Sequence, residues 1–106
     1  MPKYLVSASY TADGLKGLQK DKASGRRQAV TAAIEGMGGK LECVYYALGE
    51  NDVYLVVDLP DNVSAAALAF AVNESGAILT KTVVLLTPEE VDKAVEKKIN
   101  FRAPGR

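Results

Sequence analysis

Apolar and polar residues alternate from the start of the chain. Over residues 3–10, Tyr4, Val6, Ala8 and Tyr10 fall on one side and Leu5, Ser7 and Ser9 on the other, a period of two that predicts a strand. Residues 11–23, TADGLKGLQKDKA, break that rhythm with two glycines and several charges. They predict a long loop or a short irregular helix. At Ser24, a residue able to cap a helix start, the period changes: Val30, Ala33, Ile34 and Met37 recur at helical spacing. This predicts a helix over residues 25–37, stopped by Gly38 and Gly39.

Two further strands follow, over residues 40–48 and 53–59, joined as a hairpin by Gly49-Glu50-Asn51-Asp52. Pro60-Asp61-Asn62 opens a second helix whose stretch 65–72, AAALAFAV, holds no polar residue, and Asn73-Glu74-Ser75-Gly76 closes it. A helix apolar all round is expected to be covered on several sides. A fourth strand spans residues 78–86. Thr87-Pro88-Glu89-Glu90 then reads as a capping box with proline at the first helical position, starting a third helix striped by Val91, Ala94 and Val95.

Strand, helix, strand, strand, helix, strand is the order of an α+β, ferredoxin-like βαββαβ sandwich, here with an appended C-terminal helix. Right-handed crossovers put both helices on one side of an antiparallel sheet with the spatial order four, one, three, two. The other side has no cover. Yet apolar residues occupy both faces, as in residues 53–57, VYLVV, and 83–86, VVLL. A second copy is the simplest cover, so a homo-oligomer, a dimer or higher, is expected. The whole chain, residues 1–106, reads as one domain, with 88–106 as helix and tail.

Composition narrows the chemistry. Hydrophobic content of 48% with 25% charged residues argues for a folded chain rather than a disordered one. Thirteen basic residues balance thirteen acidic ones, which makes a poor nucleic-acid partner because phosphate attraction needs a dominant basic face. Nowhere do about 18 apolar residues follow one another, so neither a membrane span nor a leader is expected, and the protein reads as cytoplasmic. Histidine is absent and Cys43 is the lone cysteine. No imidazole base, no disulfide within one chain and no Cys/His metal site can therefore be assembled. Neither a metal nor a cofactor is indicated, and Cys43 reads as a small core residue.

The predicted topology brings distant segments to one end of the sheet. Tyr10, the charged stretch with Lys16, the helix start at Arg26 and Arg27, the hairpin turn with Asp52, and the approach to the fourth strand meet there. Such a cluster can receive an anion such as a carboxylate or phosphate, or it is a solvated basic surface whose charges meet Glu50 and Asp52. Tyr10, Tyr45, Tyr46 and Tyr54 either line a pocket, between sheets or between sheet and helices, or simply suit strand positions. The candidate ligand-binding set is Tyr10, Lys16, Arg26, Arg27, Tyr46, Asp52 and Tyr54; no residue stands out as catalytic.

The succession Leu15-Lys16-Gly17-Leu18, Arg26-Arg27, Gly38-Gly39-Lys40-Leu41, Leu48-Gly49-Glu50-Asn51-Asp52, Asp58-Leu59-Pro60-Asp61 and Leu86-Thr87-Pro88-Glu89-Glu90 resembles the GYD domain family. The tail Phe101-Arg102-Ala103-Pro104-Gly105 is similar to the ending of many members. The resemblance implies a dimeric α+β barrel and no assigned reaction. The Gly-Tyr-Asp signature of the family falls on Gly49, Asn51 and Asp52, so asparagine stands where the family has tyrosine. Asparagine suits the positive φ of a tight turn and offers no phenol. Two kinds of function remain: a non-catalytic oligomeric module that binds a small anionic or aromatic metabolite or a protein partner, and a cofactor-free enzyme, an isomerase or oxygenase, of the dimeric α+β barrel type.

Overall fold

The computed structural model describes residues 1–106. Its centre is an antiparallel sheet of β1 (Lys3–Tyr10), β2 (Lys40–Tyr46), β3 (Val53–Asp58) and β4 (Ile78–Leu85) in the order β2-β3-β1-β4. Helix α1 (Ala12–Gly36) lies over β2 and β1, α2 (Asn62–Glu74) lies over β4, and α3 (Pro88–Glu96) follows the last strand. The fold is α+β with the ferredoxin-like strand order that the sequence predicts.

The first helix departs from expectation. Residues 12–23 take the helical alternative rather than the loop, as part of one long kinked helix, because Thr11 caps the start: its side chain accepts from the Gly14 N–H at 3.1 Å, and Asp13 sits in the first turn. Gly14 does not break this helix. It is there because a Cβ would overlap the Ala77 carbonyl, where α1 leaves the sheet beside the start of β4. The helix kinks at Lys22 (φ 64°, ψ 166°), a backbone region rarely taken by anything but glycine. Helix resumes at once, so Ser24 lies inside it and caps nothing. Gly38 (φ 81°) ends the helix in the left-handed region as its sequence suggests.

Strand β2 carries a bulge. Leu41 pairs with Val57 and Cys43 with Val56, so Glu42 is an extra residue and the alternation shifts by one. Without it, Leu41, Cys43 and Tyr45 would share a face; with it, Leu41, Val44 and Tyr46 turn toward the helices. Cys43 therefore lies half-buried on the open face, pairing with outward Val56, and is not a core residue.

The core gathers Tyr4, Val6 and Ala8 of β1 and Val53, Leu55 and Val57 of β3, under Ile34, Leu59 and Ala65. The Tyr4 hydroxyl is satisfied by Asn62 Oδ1 at 2.6 Å. Only ten of 106 residues are buried, because much of the apolar surface has no cover within the chain. Helix α2 buries only Ala65 and leaves Phe70 72% exposed. The sheet face away from the helices exposes Tyr45, Leu79 and Val83. All nine residues of α3 are exposed as well, although its capping box forms in full, with Thr87 Oγ1 accepting from Glu90 N and Glu90 Oε1 from Thr87 N. Accordingly the radius of gyration is 16.9 Å, against about 13 Å for a compact chain of this length. No helix is long and apolar enough to cross a membrane.

Candidate functional site

Two helices made rich in alanine leave space where they meet the sheet. Ala29 and Ala33 of α1 face Ala65 and Ala69 of α2 across a cleft of about 170 Å³ that reaches down to Val6 and Leu55 on the sheet. Seventeen of its twenty-one lining residues are hydrophobic; the other four are Arg26, Arg27, Thr80 and Thr82. No carboxylate or amide side chain lines it. Thr80 Oγ1 is already engaged with Asn73 Oδ1 at 3.1 Å.

The polar end of the cleft combines Arg26 with Tyr10 and Tyr46. Arg26 is carried there by the part of α1 that follows the kink, and its side chain is only 28% exposed. Its sole ionic contact, Nη1 to Asp21 Oδ2 at 3.9 Å, is too long for a hydrogen bond. The Tyr46 phenol is pushed up to about 12, by desolvation first and then by the neighbouring Tyr10 phenol, while Arg26 pulls the other way. At neutral pH Tyr46 is thus a neutral hydroxyl, able to donate to an incoming oxygen.

Of the seven candidate residues, Tyr10, Arg26, Arg27 and Tyr46 line this cleft. Asp52 does not. Its carboxylate accepts from the Tyr10 N–H at 2.8 Å and its own N–H donates to the Ala8 carbonyl at 2.8 Å, which extends the β1–β3 ladder ahead of the first residue of β3. Lys16 is exposed on α1 ahead of the kink, and Tyr54 sits on the open sheet face opposite Tyr45. Asn51 has no positive φ; its side chain donates to the Tyr54 hydroxyl at 3.2 Å instead. Sequence reasoning offered a pocket between sheet and helices as one alternative and missed the helix alanines that form it. The signal was present in the spacing of Ala29 and Ala33 against Ala65 and Ala69, four apart on each helix, which puts small side chains on one face. No group of three or more cysteine, aspartate or glutamate residues comes together to hold a metal.

These features define a class of small α+β proteins with a cleft between sheet and helices and an open outer sheet face. The family model of the GYD domain matches residues 4–95, and the chain belongs to that family. Comparison with curated proteins and with solved structures returned no match.

Proposed function

We propose that this GYD domain protein is a non-catalytic module that binds a small metabolite in the cleft between α1, α2 and the sheet, and works as a homo-oligomer joined through the open sheet face. The observation that carries the binding reading is a 170 Å³ apolar space with an arginine and two phenols at one end. A space of about 150 Å³ takes up a benzene ring in a protein interior, so this one suits a ring-sized body. The binding reading is favoured over catalysis because no carboxylate lines the cleft and Asp52, the one carboxylate of the candidate set, accepts from the Tyr10 N–H. Oligomerisation is supported by the exposed Tyr45, Leu79 and Val83 on one sheet face. A reducing compartment such as the cytoplasm suits Cys43, a free thiol on that same face.

A cleft-filling variant tests the binding reading. Ala69→Leu places a branched side chain in the space between the helices. The native protein is expected to gain thermal stability from ring-sized additives, and Ala69→Leu to gain little from them while melting higher on its own. Equal shifts in the two proteins would show that the additives bind elsewhere.

A further inference from the structure

We infer that the cleft takes a small monocarboxylic acid, whose single ring or short chain fills the alanine-lined space and whose carboxylate is received by Arg26 and the Tyr46 hydroxyl. This rests on the reading that the cleft binds a small molecule, and it concerns what kind.

Charge placement points to the head group. The chain is electroneutral, yet both charged residues lining the cleft are arginines and no acidic residue lines it. The Arg26 side chain is partly buried beside apolar walls while its guanidinium nitrogens stay open to solvent, where they can receive an incoming anion. Arg26 has only Asp21, at a distance too long for a hydrogen bond and with that carboxylate half exposed. Its donor fork is open, and the planar match of guanidinium to carboxylate is bidentate. Tyr46 adds a neutral O–H donor on the same wall, and Tyr10 lies beside it. Arg27, more exposed, contributes charge at the rim.

The remainder of the wall selects the body. Alanine, valine and leucine offer no hydrogen bonds to hydroxyls or amides, so a sugar or amino acid would lose its hydration without compensation. A doubly charged phosphate faces the same objection. One negative charge on one apolar body matches what is there.

Isothermal titration with cyclohexanecarboxylate and with cyclohexylmethanol, the neutral alcohol of similar shape, decides the matter. The acid is expected to bind at least about tenfold more tightly than the alcohol to the native protein, the effect of one charge-assisted contact. Arg26→Gln should erase that preference and Tyr46→Phe should reduce it, read as the ratio of acid to alcohol affinity within each variant. Equal affinity for acid and alcohol, or a preference that survives Arg26→Gln, would overturn the carboxylate and leave the cleft as a site for neutral apolar molecules. Binding of neither compound would overturn both the carboxylate and the cleft reading.

Discussion

The two faces of one sheet both carry branched apolar residues, and those residues meet different fates. Toward the helices, Val6, Val53, Leu55 and Val57 are buried; on the other side Leu5, Val56, Leu79 and Val83 come from the same strands and remain partly or fully exposed. Chemistry does not separate them. What differs is that α1 and α2 both cross on one side, as right-handed connections require, so the chain has nothing left for the second. Even the covered side is incomplete, since the small side chains of Ala29, Ala33, Ala65 and Ala69 leave the cleft unfilled. Apolar alternation thus says that a face avoids water, not which molecule covers it.

Two leucines on opposite faces of the sheet give the sharpest way to break this comparison. Leu55→Ala, at a position 9% exposed under the helices, is expected to cost about 2–5 kcal/mol in chemical denaturation, whatever the protein concentration. Leu79→Ala, 59% exposed on the open face, would cost no more than about 0.5 kcal/mol in a lone chain. If a second copy covers that face, its cost appears instead as a midpoint that falls on dilution and a lighter mass by light scattering. A Leu79→Ala protein identical to the native one at every concentration would remove the open face from the oligomer.

A smaller effect is expected within the covered half. Lys22 holds a φ of 64° and ψ of 166° at the kink that swings the second part of α1 over the cleft. Glycine reaches this region freely, so Lys22→Gly should stabilise the protein by about 1 kcal/mol, the lower end of such strain. A loss of stability would mean that the Lys22 side chain contributes more than its backbone costs.

The same contrast explains how much was legible in the residues. Strand order, α2, the full capping box of α3 and the junction of Tyr10 with the hairpin turn follow from periodicity, cap residues and crossover handedness, all local or topological rules. Three features do not. Residues 11–23 read as a loop or a short irregular helix because two glycines weigh against a regular one, whereas Gly14 answers to the Ala77 carbonyl, a contact 63 positions away in sequence. The bulge at Glu42 exchanges the faces of Tyr45 and Tyr46, and nothing in LECVYY itself forces it. Asp52 looks like site chemistry and serves as a backbone acceptor, since polarity does not reveal which partner a side chain finds. Arg26 and Arg27 were legible as an anion-receiving pair only for their charge; the apolar space beside them arises from two helices jointly.

The faintest effect at working pH concerns the tyrosines that the bulge sorts. Tyr46 on the cleft side is pushed up to about 12 by desolvation and the Tyr10 phenol, against about 10 for an ordinary phenol. Between those values the unfolded chain has released the proton and the folded chain retains it. The folded state then binds more protons, so stability must fall as pH rises through that window, and below about pH 10 the contribution is constant. Because Tyr46 is 40% exposed, solvent screening keeps the change modest. Phenolate absorbance of the native protein should contain a component near 12 that Tyr46→Phe removes. Tyr45→Phe, on the open face, should leave that component in place. Should Tyr45→Phe remove it and Tyr46→Phe spare it, the register of β2 would be the one without the bulge, and the polar end of the cleft would lose its hydroxyl donor.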